Sequence, residues 1–377
     1  MRPPAGGLSG PRTYDVVVVG GGPAGAATAL RLAAAGRSVA MLERSRFDRP
    51  RVGETLAPLV QPLLRDLGVW DQFVALRALP SWGTRSVWDE PEPAEHSHLA
   101  SGYASGWHVD RRAFDRMLAD AAAVTGAQVW TGTSVAGCRH DGAAWDVLCA
   151  DGRRLRGRLL VDATGRRAGL GRSLGARRLA FDRLVAIAGG WDGVDVTEEH
   201  YLLVESAADG WWYTAPLPRD AMVGMLMTDA DLCRRDGLAR TASWHDRLRA
   251  ATTTAARVGG APPRSVPRVH PAASHRLSRP GDTRPWLAVG DAALAVDPVS
   301  GSGVPRALRT AGAAADTAAG LLDRPGDAAG LLARYESARD GECTAYLTER
   351  ARYYGAVRRF PTPFWARRRQ GSLGNRV

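Results

Sequence analysis

The sequence predicts an α/β protein in which a parallel-sheet domain is interleaved with a domain built on an antiparallel sheet. Near the N-terminus, the apolar run YDVVVV is followed by a glycine-rich turn and then by an apolar helical stretch. That order is typical of a parallel α/β sheet. Further along, the short apolar segments LVAIAGGW, YLLVES, WWYTAPL and MVGMLMT are separated by turn-forming residues, which indicates antiparallel strands.

The glycine-rich turn has the pattern of a dinucleotide site. It fits G-x-G-x-x-G at Gly20, Gly22 and Gly25. Such glycines let the backbone approach a pyrophosphate at the N-terminus of a helix. A second apolar strand, SVAMLE, ends in Glu43, whose carboxylate can accept a hydrogen bond from a ribose hydroxyl, and Arg44 adds a cation. The segment therefore predicts a Rossmann-like domain, without choosing between NAD and FAD.

Three later segments make that choice. RLLVDATG (158–165) predicts a strand that ends in a glycine turn, and WLAVGDAALAVDPVSGSGVPRAL (286–308) predicts a strand, an acidic loop and a helix. The third segment is GWHVDRRAFDRML (106–118). With them the chain resembles the one-domain FAD hydroxylases of the p-hydroxybenzoate-hydroxylase-like (GR2) type over nearly its whole length. The resemblance implies that the cofactor is non-covalent FAD.

The same resemblance assigns further residues to FAD. Asp291, in the pair with Gly290, is expected to hold the ribityl chain, and Arg112 is expected to reach the cofactor near its phosphates. The remaining assignments to the cofactor site are Asp162, Pro298, Gly301 and Gly303. A helix that starts after the Gly-Ser-Gly turn points its positive end at a neighbouring ring, where it would stabilise the reduced, anionic flavin.

The loop RVGETLAP, residues 51–58, indicates which branch of these flavoproteins the chain resembles. Its Gly53, Glu54 and Pro58 match the Gly-Glu-x-x-x-Pro loop that lies against the flavin in the tryptophan halogenases and their relatives. The strand GWWYTAPLP resembles the tryptophan-rich strand of those enzymes. Its first tryptophan and its first proline align, and a tyrosine stands where a second tryptophan is usual.

The chain nevertheless contains no lysine. The combined count of lysine and arginine is 50, and all 50 are arginine. In halogenases of this type, a lysine amine holds or activates hypohalous acid beside the substrate. Arginine cannot replace it, since a guanidinium stays protonated and is not a nucleophilic amine. We therefore predict oxygenation rather than halogenation.

A closer resemblance is to the short flavoproteins that modify a peptidyl tryptophan for quinone-cofactor amino-acid oxidases, and to related tailoring hydroxylases. It rests on WWYTAPLPRDAMVGMLMTDADL (211–232), RVHPAASHRL (268–277) and YYGAVRRFPTPFWARRR (353–369). The resemblance implies a monooxygenase that hydroxylates an indole-like ring, on a peptide, carrier or partner protein, through a flavin C4a-hydroperoxide. O2 is the oxidant, and either NAD(P)H or a separate flavin reductase supplies the electrons.

Other functions remain open at this point. One is a halogenase with unusual activation, or an alkene reductase, on the same scaffold. Another is a non-catalytic flavoprotein that binds a partner. The chain has no recognisable second nucleotide fingerprint for NAD(P)H, which leaves both electron sources possible.

The segments predict discontinuous domains. The FAD-binding domain is expected from residues 13–75, 106–170 and 280–325, and the substrate domain from 76–105 and 175–275. Residues 326–377 are expected to form a C-terminal helix and a basic aromatic tail, which is either solvated, covers the pocket or docks a partner.

We expect the substrate pocket between the antiparallel sheet and the flavin, with Trp82, Trp212 and Tyr213 as candidate lining residues. Each of them is also explained by ordinary packing. For the reaction itself, the candidates are Glu54, His275 and Trp211. An imidazole can exchange a proton near pH 7, and Glu54 either shapes its loop or acts beside the flavin.

Composition excludes several other classes. Four scattered cysteines, with no CxxC pair and no nearby histidines at ligand spacing, predict neither disulfides nor a zinc site. The net charge of +11 comes from arginines spread along the chain, without a nucleic-acid module. No apolar run approaches the roughly 20 residues of a membrane span, so no stable membrane insertion and a cytoplasmic location are expected.

Overall fold

Two seven-stranded sheets organise the computed structural model, which describes residues 12–103, 105–196, 199–264 and 266–370. The strands are β1 (Arg12–Val19), β2 (Val39–Glu43), β3 (Thr55–Leu56), β4 (Leu79–Ser81), β5 (Gly83–Val87), β6 (Ala94–Ser97), β7 (Gly106–His108), β8 (Gln128–Thr131), β9 (Val135–His140), β10 (Trp145–Cys149), β11 (Arg154–Asp162), β12 (Arg177–Ala180), β13 (Leu184–Asp192), β14 (Tyr201–Ala207), β15 (Gly210–Leu217), β16 (Ala221–Asp229), β17 (Arg268–Pro271), β18 (His275–Ser278), β19 (Trp286–Ala288) and β20 (Leu294–Ala295). The helices are α1 (Pro23–Ala34), α2 (Val60–Asp66), α3 (Trp70–Ala75), α4 (Arg111–Val124), α5 (Gly169–Ser173), α6 (Ala230–Arg235), α7 (Thr241–Ala250), α8 (Thr252–Val258), α9 (Gly303–Asp323), α10 (Ala328–Ala356) and α11 (Pro363–Gln370).

The first large sheet has the order β8-β2-β1-β11-β10-β9, with β19 also paired to β11. Its centre is parallel, and β9 and β10 form an antiparallel hairpin at one edge. Four consecutive valines of β1 are buried, as expected for a strand covered on both faces. Helices α1, α4 and α9 cover one of those faces. The predicted α/β fold with a parallel sheet is confirmed.

The second large sheet has the order β17-β13-β16-β15-β14-β5-β6. The four segments predicted from sequence form β13 to β16, which pair antiparallel. One contact differs from the prediction, because β14 runs parallel to β5. One face of this sheet packs on α7 and α8, while the other packs on the C-terminal helices and on the loops of the first domain.

Two three-stranded sheets join these parts. The sheet β3-β7-β4 places Thr55 and Leu56 of the RVGETLAP loop opposite His108 and Trp107. The sheet β12-β18-β20 connects the second half of the chain to the loop that follows β19. The predicted domain boundaries stay a prediction, since both small sheets draw strands from more than one predicted segment.

The C-terminal segment is folded into the protein rather than solvated. Helix α10 is 29 residues long, and α11 returns onto the second large sheet. The side chains of Phe364 and Trp365 are fully buried there. Arg368 stacks 3.6 Å above the Phe364 ring and forms an ion pair with Asp229 at 2.8 Å. The expectation of a solvated tail is therefore wrong for the residues up to 370; those beyond lie outside the described part.

The remaining expectations concern absent features. All four cysteines are unpaired, and the described residues contain no group of three metal-ligating side chains. Within the same residues, no helix has both the length and the apolar character needed to cross a bilayer.

We predict that Trp365→Ala destabilises the protein by about 3–5 kcal/mol, the usual cost of deleting a fully buried aromatic side chain. Urea unfolding would measure the change. Leu99→Ala, at a side chain that is 79% exposed, is the matched control and should change stability by less than about 0.5 kcal/mol. Equal effects of the two substitutions would contradict the packing of the tail.

Candidate functional site

The three glycines of the dinucleotide turn have different roles. Gly20 has φ +113°, and an added Cβ would lie 2.1 Å from the carbonyl oxygen of Ala163. A Cβ on Gly25 would lie 2.0 Å from the carbonyl oxygen of Gly20. These two glycines therefore allow β1, β11 and α1 to pack closely. Gly22 differs, because a Cβ there would meet no atom within 4 Å, which leaves its surface open for a ligand.

The helix behind this turn is ready to accept an anion. Gly22 is the N-cap residue of α1, and no side chain caps the helix there. The first backbone N–H groups of a helix have no partner within it, and the helix dipole favours negative charge at this end. The turn and helix therefore fit the pyrophosphate of a dinucleotide such as FAD.

Glu43 ties the turn to β2. Its Oε2 accepts a hydrogen bond from the Gly21 N–H at 2.7 Å, and its Oε1 accepts from Ser45 and from Arg51. Although burial alone would raise the pKa of Glu43, the hydrogen bonds from Ser45 and Gly21 lower it below its ordinary value. Glu43 is therefore an ionised, fixed carboxylate at the ribose end of the predicted site. Arg44 is exposed beside it.

A ladder of alternating charges connects this end to the RVGETLAP loop. Arg51 bridges Glu43 at 3.0 Å and Asp115 at 2.6 Å. Arg111 also pairs with Asp115 and donates to the carbonyl oxygen of Val52 at 2.9 Å. The loop is thus held by two arginines that share one buried carboxylate.

The guanidinium in this ladder belongs to Arg111, the neighbour of the Arg112 that the sequence assigned to the cofactor. Arg112 is partly exposed and pairs with Asp110, the N-cap residue of α4, at 2.7 Å. Arg111 points inward instead. Sequence spacing does not distinguish the two arginines, because Asp115 lies four residues after Arg111 and three after Arg112, and both spacings bring side chains together on a helix. Contact between Arg112 and the cofactor stays a prediction.

Glu54 is the buried carboxylate of the loop. It is 5% exposed, and its Oε2 accepts from the N–H of Gly53 at 2.8 Å. Burial raises the pKa of Glu54 to about 7, against the opposing effects of that hydrogen bond and of Arg111. Glu54 can therefore exchange a proton near neutral pH.

The next residue links the loop to the second large sheet. Thr55 donates its N–H to the Tyr213 hydroxyl at 3.2 Å, and the Thr55 and Tyr213 hydroxyl oxygens lie 2.7 Å apart. Thr55 Oγ1 also lies 3.0 Å from Nδ1 of His108, whose Nε2 lies 3.3 Å from the carbonyl oxygen of His200. Burial lowers the pKa of His108 to about 3, so its ring is neutral.

The direction of these hydrogen bonds follows from the acceptors. A backbone carbonyl can only accept, so Nε2 of the neutral His108 ring carries the proton and Nδ1 accepts from the Thr55 hydroxyl. Thr55 Oγ1 then accepts from Tyr213. We call this set of hydrogen bonds the Thr55 bridge.

A second bridge starts on the same face of β15. Trp211 donates its indole N–H to the Tyr354 hydroxyl at 3.0 Å, and Tyr354 donates to Oδ2 of Asp297 at 2.8 Å. Asp297 is fully buried and directly precedes Pro298 in the loop before α9. We call this set the Tyr354 bridge. The sequence carried no sign of it, because its members lie on three distant segments.

The placement of Trp211 and Trp212 differs from the prediction. Side chains alternate along a strand, so Trp212 points to the opposite face from Tyr213 and packs 5.1 Å from Trp244. Both tryptophans are fully enclosed by protein atoms. Trp212 cannot line the predicted pocket, and Trp211 has no surface left to touch a substrate. Trp82 is 43% exposed and stacks on His200 at 4.0 Å.

Asp291, which the sequence assigned to the ribityl chain, lies close to the first turn of α1. Its neighbour Gly290 has φ +58°, and an added Cβ there would lie 2.5 Å from the Cβ of Ala24, in the first turn of α1. Asp291 is therefore beside the dinucleotide turn. Its carboxylate is partly exposed and lies 3.4 Å from Arg166.

The turn before α9 is open as well. Gly301 has φ +60°, a backbone conformation that favours glycine. Helix α9 begins at Gly303 with no side-chain cap, and a Cβ there would meet no atom within 4 Å. The positive end of α9 is thus free to face a ligand, which fits the flavin ring.

Two further assignments are corrected. Asp162 is fully buried, and its oxygens accept from Thr164 and from the N–H of Gly171, so it shapes its own turn and cannot reach a cofactor. His275 is also fully buried, and burial lowers the pKa of its ring to about 4. Near pH 7 the ring is therefore neutral, with no proton to donate as an imidazolium and no surface exposed for contact with a substrate.

Comparison with known proteins agrees with this geometry. The FAD binding domain family matches residues 13–349. LodB of Marinomonas mediterranea, named as an FAD-dependent oxidoreductase, is 29% identical over 94% of this chain and 97% of its own. The tryptophan 2-halogenase of Chondromyces crocatus is 28% identical over 94% of this chain and 70% of its own.

Two solved structures have a similar fold. The peptidyl tryptophan dihydroxylase QhpG has a TM-score of 0.77 and 28% identity, over 94% of this chain and 78% of its own. The myxobacterial chondrochloren halogenase CndH has a TM-score of 0.87, over 95% of this chain and 86% of its own, and its 23% identity shows the fold alone. The chain therefore belongs to the FAD binding domain family, in its tryptophan-halogenase-like branch, and is an FAD-dependent oxidoreductase.

Proposed function

We propose that the protein is a monooxygenase that hydroxylates an electron-rich aromatic ring of the indole type, borne on a peptide, a carrier or a partner protein. The observation that carries this proposal is the complete absence of lysine beside a halogenase-like loop. The similarity to a peptidyl tryptophan dihydroxylase over 94% of the chain supports the same class of reaction. Reduced FAD, with O2, supplies the oxygen-transfer chemistry, and NAD(P)H or a separate flavin reductase supplies the electrons.

The residues around the predicted FAD site bind the cofactor and position the substrate. Gly22 and the N-terminus of α1 bind the pyrophosphate, Glu43 holds the ribose, and Asp291 holds the ribityl chain. The open N-terminus of α9 stabilises negative charge on the ring. The apolar face of the second sheet excludes water, while Tyr213 and the loop around Glu54 border the substrate.

Glu54 is the acid–base group that this geometry favours. Its pKa of about 7 lets it hold or release a proton near neutral pH. His275 does not compete for that role, because its ring is enclosed and neutral.

Halogenation is the second candidate, since the halogenase relative and the Gly53-Glu54 loop both favour it. Such a reaction must release hypohalous acid and direct it to the substrate. Without a lysine amine, the chain lacks the group that does this in the halogenases it resembles.

We predict that protein supplied with reduced flavin, O2, bromide and a tryptophan-containing peptide forms an oxygenated product only. Mass spectrometry would detect a gain of oxygen, and an assay without protein is the control. An enzyme-dependent brominated product that persists when free hypohalite is scavenged would overturn the proposal in favour of halogenation.

We predict that Gly22→Val loses FAD, because the added side chain would occupy the open surface of the turn. FAD content per chain, measured by absorbance, should fall about 10-fold or more. Gly137→Val is the control, since a Cβ on Gly137 in β9 also meets no atom within 4 Å. Full FAD retention by a folded Gly22→Val protein would show that the fingerprint is misplaced.

We predict that Glu54 makes stability depend on pH. Its folded pKa of about 7 exceeds its ordinary value of 4.5, so the folded state binds more protons between these values. Stability therefore falls as the pH rises through this window, by about 3 kcal/mol in total. Urea unfolding at pH 5 and pH 8 should show a smaller fall for Glu54→Gln than for the parent protein, while the exposed Glu90→Gln control follows the parent. An identical fall in Glu54→Gln would remove Glu54 as the cause.

A further inference from the structure

Tyr354 lies where three distant segments of the chain meet. It is on α10, its ring is 1% exposed, and its hydroxyl is hydrogen-bonded both to the Trp211 indole at 3.0 Å and to Asp297 at 2.8 Å. One hydroxyl therefore accepts from the second large sheet, which we call the substrate-facing sheet because we place the substrate against it, and donates to the loop before α9. Neither bond is needed to form α10, whose backbone is helical for 29 residues.

The segment that receives the second bond sets the position of α9. Asp297 Oδ1 accepts from the N–H of Val299 at 3.0 Å, and its carbonyl oxygen accepts from the N–H of Ser300 at 3.2 Å. The Asp297 carboxylate thereby shapes the turn from which α9 emerges. A small rotation of this side chain would move the N-terminus of the helix that we place against the flavin ring.

Asp297 is held from several sides. Arg350 of α10 lies 3.4 Å from Oδ2 of Asp297, and the Tyr346 hydroxyl accepts from the backbone N–H of Asp297 at 3.0 Å. Arg350 also pairs with Asp182 at 3.1 Å, so its charge is shared between two carboxylates. Of these groups, Tyr354 is the one that also reaches β15.

The two bridges have a common origin on one strand. Trp211 and Tyr213 lie on the same face of β15, two residues apart. Tyr213 holds the RVGETLAP loop through Thr55, and Trp211 holds the loop before α9 through Tyr354. One strand of the substrate-facing sheet is therefore hydrogen-bonded to both loops that frame the predicted FAD site.

We propose that Tyr354 is a positioning residue, which fixes the N-terminus of α9 relative to the substrate-facing sheet through its bonds to Trp211 and Asp297. The placement beside the flavin rests on the proposed function. The consequence for the cofactor is electrostatic, since the helix end stabilises the reduced ring only while it is aimed at it. The consequence for the reaction is the coupling of electron-donor oxidation to product formation. If the flavin ring and the substrate are displaced from each other, the electrons reduce O2 to hydrogen peroxide and no oxygenated product forms.

The test is Tyr354→Phe in the full-length holoprotein. Phenylalanine keeps the ring that packs on Phe364 and Trp365 and removes only the hydroxyl. Tyr353→Phe is the matched control, because this neighbouring hydroxyl bonds Glu349 on the surface. We expect the flavin reduction potential of Tyr354→Phe to become more negative and the peroxide formed per electron donor to rise at least about threefold, with Tyr353→Phe unchanged.

An unchanged potential together with unchanged peroxide in a folded Tyr354→Phe protein would overturn the inference. If Tyr354→Phe does not fold, Trp211→Phe breaks the sheet side of the same bridge and is measured in its place. The potential needs no substrate, so it separates the two proposals. A shifted potential in a protein whose parent forms no oxygenated product would support the positioning role while refuting the proposed function.

Discussion

The structure depends on the hydrogen bonds that leave one face of β15. Trp211 and Tyr213 each use a polar group at the tip of an aromatic ring, and the two bonds lead to different loops. A buried polar group without a partner costs free energy comparable to a lost hydrogen bond, so each bond resists sliding of the sheet over the nucleotide-binding domain. The two bonds thus fix both loops relative to the sheet, and a fixed geometry is what a reaction between two bound rings requires.

Arginine side chains supply the positive charge in the buried ion pairs of this protein. Arg51 and Arg111 meet at Asp115, and Arg367 and Arg368 meet at Asp229. A planar guanidinium with five donors can bond carboxylates and carbonyl groups at once, which an ammonium cannot do with the same geometry. Arginine alone therefore supplies the cations of these ion pairs.

The sequence predicted what is local and missed what depends on docking. The order of strand, glycine turn, helix and Glu43 is continuous in the chain, so its periodicity identified it correctly. Arg111 and Arg112 differ by only one step around α4, and which of them points inward is decided by how that helix packs. Trp212 was a misjudged case, since the alternation of side chains along a strand already separates it from Trp211 and Tyr213.

Burial by segments that are distant in the chain could not be predicted from the sequence, and it determines the protonation of the site residues. The enclosure of His108 and His275 leaves both rings neutral, and the enclosure of Glu54 brings its pKa to about 7. Near neutral pH, the two histidines are therefore uncharged, while Glu54 is partly ionised. The open N-termini of α1 and α9 add fixed backbone dipoles to the charges of Arg166 and Asp291. Because dipoles held by the fold need no reorganisation during a reaction, this arrangement suits a ring that gains and loses negative charge in each cycle.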